Sequence, residues 1–274
     1  MHDMDRRLEP EVMADPAEAA EYDAADFSIP NAAFIERLVE LGAGGVMLDV
    51  GTGNGLIPPL VAQRIPRSRI LGVDLSQAML DVAERHRRES REQHRITFQP
   101  ADAAALPFDD GAFDAVFSNT ILHHLPTPRA EQMLVECWRV LRTGGVLLIR
   151  DLFRPRDEDE VESLVELHAG DQSPHARQLF RQSLQAAFTP DELRKMIGDL
   201  KIPAQVVIDT DRHASIQTSQ KTSGGRSRLS THANHRSYRP KCWIADMISR
   251  IPASFDPLLI EPAVANFRPL PPRA

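Results

Sequence analysis

The chain has 274 residues, 42% of them hydrophobic and 26% charged, and a formal net charge of −7. This length buries a substantial core in one domain with appendages. The acidic balance argues against nucleic acid as a partner, and the two cysteines, Cys137 and Cys242, exclude a disulfide framework and have no metal-ligand spacing.

Residues 1–21 are polar, rich in Ala, Glu and Asp, and read as a mobile N-terminal arm or a short helical lid rather than a signal peptide. A domain is expected over residues 22–218. Pro30 suits a first helical turn, and Phe34, Leu38 and Leu41 follow at helical spacing until Gly42, Gly44 and Gly45 end the helix. Val46–Val50 is an apolar strand interrupted only by Asp49, and it runs into the turn Gly51-Thr52-Gly53-Asn54-Gly55. The next helix, from Leu56 to Ile65, tolerates Pro58-Pro59 because they fall in its first turn. Arg69–Asp74 is a second buried strand ending in a carboxylate. Ser76 caps a helix with Met79, Leu80 and Ala83 inward and a charged run from Glu84 to Glu92 outward.

The third strand is 96–99, leading to Asp102, and the fourth is 113–118. Thr127 and Pro128 read as cap and first position of a helix running to Leu141. Gly144-Gly145 should end it before a fifth strand over 146–150. Helices are expected over 157–169, 174–188 and from the Thr189-Pro190-Asp191-Glu192 capping box to Leu200, then two strands over 205–209 and 212–217. From Ser219 these signals stop. Residues 219–274 carry nine Lys/Arg against three Asp/Glu and many prolines, and read as a disordered basic tail. No apolar run has the length of a membrane span, and a cytoplasmic setting is the expectation.

Continuous apolar strands alternating with helices specify a parallel sheet covered on both faces. Ligands of such sheets sit outside the carboxyl ends of the strands, where Asp49, Asp74, Asp102 and Asn119 all fall. The glycine turn is G-x-G-x-G. The dinucleotide fingerprint needs glycine at position 56, which is Leu56 here. Asp49 would repel a pyrophosphate and suits a cationic ligand bearing an ammonium or sulfonium.

Val46–Gly55 resembles the first motif of class I S-adenosylmethionine-dependent methyltransferases. Gly72–Ser76 with Met79, Ala101–Phe108, Phe113–Asn119 with His123-His124-Leu125, and Leu141–Ile149 are similar to their second to fifth motifs, in order and at ordinary spacing. The nearest flavour is the small-molecule group that includes the quinone-biosynthesis type. The resemblance implies a Rossmann-like, seven-stranded, mostly parallel α/β sheet with strand order 3-2-1-4-5-7-6. It also implies S-adenosyl-L-methionine as cofactor and a small-molecule methyl acceptor. Cofactor-binding residues would be Asp49, Gly51, Thr52, Gly53, Asn54 and Gly55, Asp74 on the ribose hydroxyls, and Leu75 and Met79 as apolar walls. Asp102 and Ala103 would meet the adenine, Asn119 the methionyl portion, and Tyr22 would fold over the cofactor. His123 and His124 lie where an acceptor would sit and are the candidate catalytic base, against the blander role of packing the Leu122–Pro126 turn. The N-terminal arm and helix 174–188 are placed to cover that acceptor. A NAD-dependent oxidoreductase on a related sheet, a nucleic-acid methyltransferase gripping with the basic tail, and a non-catalytic member stay open as alternatives.

Overall fold

The computed structural model of the chain describes residues 4–9 and 28–218. Tyr22, most of the N-terminal arm and the tail 219–274 lie outside the described residues.

Strand and helix alternate through most of the chain, as the apolar runs dictate. The order is α1 (Ser28–Glu40), β1 (Val46–Val50), α2 (Ile57–Arg64), β2 (Arg69–Asp74), α3 (Gln77–Glu89), β3 (Ile96–Pro100), β4 (Phe113–Asn119), α4 (Thr127–Val140) and β5 (Leu141–Leu152). Then come α5 (Glu158–Ala169), α6 (Pro174–Ala186), α7 (Pro190–Asp199), β6 (Gln205–Ile208) and β7 (His213–Gln217). One seven-stranded sheet has the order β3-β2-β1-β4-β5-β7-β6. The pairs among β1 to β5 are parallel, and β7 runs antiparallel to both β5 and β6.

Because side chains alternate across a strand, one run of apolar residues feeds two cores. Leu48, Val116 and Leu147 pack on one face with Met133, Leu134 and Cys137 of α4. Met47, Phe117 and Leu148 pack on the other with Phe34 and Leu38 of α1 and Val61 of α2. Phe117 and Phe34 meet at a centroid distance of 6.1 Å, tilted by 58°. A third cluster joins Val161, Leu164 and Val165 of α5 to Leu184 of α6.

Local chemistry sets the element ends. Ser76 caps α3 by accepting from the Met79 N–H at 3.2 Å. At α7 the capping box is complete: Thr189 Oγ1 accepts from the Glu192 N–H at 3.2 Å, and Glu192 Oε2 accepts from the Thr189 N–H at 2.8 Å. Two expectations are corrected. Thr127 is the first residue of α4 rather than its cap; Pro126 holds the cap position, and no side chain caps the helix there. Gly144-Gly145 does not separate α4 from a short strand. β5 begins at Leu141, which pairs with Phe113, and a register shift between Phe113 and Ala115 absorbs the extra residues before Val146 pairs with Ala115. Among the described residues, no helix is long and apolar enough to cross a membrane.

Candidate active site

The parallel sheet brings the ends of β1, β2, β3 and β4 to one rim. The turn after β1 is pinned to β2, since the N–H groups of Gly51 and Thr52 both donate to the Val73 carbonyl, at 2.8 and 2.9 Å. Gly53 has φ 53°, and a Cβ built there meets nothing within 4 Å, so its outer face is open to an approaching ligand. Gly55 serves another purpose: its Cβ would lie 2.5 Å from that of Ala83, so only glycine lets α3 pack this close. Asn54 is buried, and its carbonyl contacts Nδ1 of His86 at 2.8 Å.

Three carboxylates sit differently along this rim. Asp49 is 1% exposed and accepts from Thr52 Oγ1 at 2.7 Å. Burial, with some repulsion from Asp74, pushes its carboxyl up to about 7. Asp74 accepts from the Gly53 N–H through Oδ2 and from the Ser76 N–H through Oδ1, both at 2.9 Å. Burial holds it above the usual carboxylate range despite those bonds. Each oxygen keeps a further lone pair for an incoming hydroxyl. Asp102 is held by Arg129, whose Nη2 lies 2.6 Å from both carboxylate oxygens, and by the Ala104 N–H at 2.9 Å. The Arg129 guanidinium keeps this carboxyl below its ordinary value.

Leu75, 68% exposed, presents a large apolar surface beside Asp74, whereas Met79 is turned into the protein at 5%. Ala103 is half-buried. Asn119 ends β4, and its Oδ1 accepts from Arg150 Nε at 2.9 Å. The next residue, Thr120, has φ 58°, a left-handed conformation that is unfavourable for a β-branched side chain; its N–H is tied to the Arg150 carbonyl at 2.8 Å.

His123 and His124 lie in a short 3-10 turn, Leu122–His124, beyond β4. His123 is buried, and its Nδ1 donates to Asp151 Oδ1 at 2.6 Å while its backbone N–H donates to Asp151 Oδ2 at 3.0 Å. Its Nε2 faces Glu9 Oε1 at 4.0 Å. Burial alone would lower the His123 pKa, but Asp151 and Glu9 outweigh it and raise the pKa above that of a free imidazole. His124 is 35% exposed and pairs through Nδ1 with Glu9 Oε2 at 2.7 Å.

Residues 4–9, expected only as part of a mobile arm or short helical lid, dock on the domain through contacts that sequence reasoning missed. Arg6 threads into the domain, donating through Nη2 to the carbonyls of His123 at 2.9 Å and Leu125 at 2.8 Å, and through Nε to Ala186 at 2.6 Å. Its guanidinium stacks 3.7 Å above the Phe188 ring centroid. Asp151, Arg129 and Glu9 were also missed. A carboxylate at the end of the fifth strand was the one available signal for Asp151. Elsewhere, His168 is bound up with Asp211 and Arg212, and His213 contacts Thr210.

A family model described as "Methyltransferase domain" matches residues 47–145. A demethylmenaquinone methyltransferase from Porphyromonas gingivalis is 37% identical over 120 residues, covering 43% of this chain and 48% of the relative. Methyltransferase GfsG from Streptomyces halstedii is 35% identical over 130 residues, covering 47% and 45%. The chain thus spans about half the length of the curated relatives it matches. A SAM-dependent methyltransferase from Aquifex aeolicus superposes with a TM-score of 0.56 at 19% identity, covering 74% of this chain and 97% of that one. Magnesium protoporphyrin IX methyltransferase from Synechocystis, solved with bound S-adenosylhomocysteine, superposes with a TM-score of 0.52 at 20% identity, covering 74% and 94%. With the glycine turn, the acidic strand ends and the 3-2-1-4-5-7-6 sheet, residues 47–145 are thus similar to the methyltransferase domain of class I S-adenosylmethionine-dependent enzymes, the quinone-biosynthesis type among them.

Proposed function

We propose that the chain transfers a methyl group from S-adenosyl-L-methionine to a small-molecule acceptor. The observation that carries the reading is the joining of the glycine turn to Asp74: the open face of Gly53 and the lone pairs of a carboxylate fixed by the Gly53 and Ser76 N–H groups meet at one point of the rim. This donor set fits a ribose with two free hydroxyls. Asp49 complements the cationic methionyl end, Leu75 offers apolar surface to the base, Asp102 and Ala103 lie at the adenine side, and Asn119 at the methionyl side. When bound, the cofactor supplies a methyl carbon already activated by its sulfonium. What remains for the protein is to align the acceptor in line with that carbon and to keep water out.

His123 enters this reading as lining of the acceptor side rather than as a base. Both of its ring nitrogens face carboxylates, and it holds its proton more tightly than a free imidazole. The small-molecule acceptor is supported by the quinone-type relative. Incubating the full chain with methyl-labelled cofactor and a fractionated cell extract tests the proposal. Label is expected in a low-molecular-weight product and is expected to be absent with Asp74→Ala. Label confined to nucleic acid would overturn the small-molecule reading.

A further inference from the structure

One ligand atom from each of Glu9, His123 and His124 lies within 4.8 Å of the others. Glu9 Oε1 is buried without a hydrogen-bond partner and stands 4.0 Å from His123 Nε2, too far for a hydrogen bond. His123 Nδ1 is committed to Asp151, an arrangement that fixes the ring and turns Nε2 outward as a potential ligand. Glu9 is delivered by a segment that Arg6 anchors to the carbonyls of His123 and Leu125, so the carboxylate and the two rings are held by one bonded unit. Two carboxylates, Glu9 and Asp151, converge on two imidazoles, and a dication would balance them.

We propose that Glu9, His123 and His124 bind a single divalent transition-metal ion of the borderline class to which zinc and cobalt belong, with Asp151 as the carboxylate that orients His123. Two histidines and a glutamate are a donor set such ions accept, leaving a coordination position for an exogenous oxygen. Bonds of roughly 2.0–2.1 Å place tetrahedral donors about 3.3 Å apart, so separations that now reach at most 4.8 Å need to change by about 1.5 Å or less. The 2.7 Å contact between Glu9 and His124 gives way to the ion in the process, and the ion displaces to solvent any proton on His123 Nε2 and on the ligating nitrogen of His124, while His123 Nδ1 keeps its own toward Asp151. The turn that carries both histidines follows Asn119 at the end of β4, on the rim assigned to methyl transfer. An oxygen of the acceptor would be the natural fourth ligand. That use rests on the proposed function, whereas the binding of the ion does not.

The test uses the full chain, stripped with EDTA and desalted, then titrated with Co(II) and followed by its visible d–d absorption, with Zn(II) as competitor. One Co(II) per chain and displacement by Zn(II) are expected. Glu9→Gln, which keeps the shape of the side chain but removes its charge, and His124→Ala should abolish the band. Asp151→Asn should weaken binding about 10- to 100-fold. S-adenosylhomocysteine titrated into each variant reports an intact domain independently of the metal. No band in the wild type overturns the proposal, and so does a band that Glu9→Gln leaves unchanged, because the ion would then lie on other side chains. Co(II) binding without S-adenosylhomocysteine binding in the wild type would sustain the metal site and remove the methyl-transfer reading.

Discussion

Asp49→Asn should make the protein more stable and a poorer binder of its cofactor, and both effects should depend on pH. Burial, with repulsion from Asp74, pushes the Asp49 carboxyl up to about 7. A carboxyl raised in the folded state favours folding in its protonated form, so its ionisation costs stability progressively as pH rises from the unfolded value toward 7. With an unfolded value of about 3.9, linkage gives a cost that grows by about 2–3 kcal/mol between pH 5 and pH 8, an upper figure for a group this deeply buried. The amide mimics the neutral acid and keeps an oxygen to accept from Thr52 Oγ1. The melting temperature of the ligand-free variant should therefore exceed that of the wild type by a margin that widens over that range by about 5–10 °C. Binding runs the other way, because the ammonium at the amino-acid end of the ligand, which S-adenosylhomocysteine shares with the methyl donor, is the group proposed to need the carboxylate. For a group titrating at about 7, the dissociation constant of S-adenosylhomocysteine should rise about tenfold from pH 8 to pH 6 in the wild type and stay flat in Asp49→Asn. Differential scanning calorimetry and titration calorimetry read the two effects. A pH-independent wild-type affinity, or a variant less stable than the wild type at pH 8, would refute the reasoning.

Asp74→Ala removes the acceptor proposed for both ribose hydroxyls and strands the Gly53 and Ser76 N–H groups. Two charge-assisted bonds of about 1.5–3 kcal/mol each predict at least a hundredfold weaker S-adenosylhomocysteine binding by calorimetry, and a change within threefold would contradict the ribose role. Gly53→Ala and Gly55→Ala should separate binding from packing. The first meets no atom within 4 Å but fills the open face, so it should weaken binding with a melting temperature lowered only by its positive φ. The second drives a methyl to 2.5 Å from Ala83 and should lower the melting temperature by several degrees. The reverse ranking would mean that the ligand lies elsewhere.

The rim was legible in the sequence because its requirements are local. A positive φ calls for glycine, a buried strand calls for an unbroken apolar run, and a carboxylate at a strand end stands out against both. The capping box at Thr189 was readable for the same reason. Gly144-Gly145 misled because paired glycines serve a helix stop and a strand irregularity equally well, and only the pairing of Leu141 with Phe113 decides between them. The partners of His123 and His124 were hidden because their contacts are long-range. Asp151 meets His123 across 28 residues of sequence, and Arg6 meets Ala186 across 180. Nothing in a polar stretch containing Arg6 and Glu9 shows that it docks, since a short irregular segment has no periodicity to read. The Arg129–Asp102 pair likewise joins a helix face to a strand end that no spacing rule connects.

The central claim is that this rim is a site for S-adenosylmethionine rather than for a dinucleotide. Calorimetric titration of the full chain at pH 8 with S-adenosylhomocysteine and, separately, with NAD tests it most directly. The account predicts saturable one-to-one binding of S-adenosylhomocysteine and no heat of binding for NAD. Binding of NAD with no response to S-adenosylhomocysteine would contradict it.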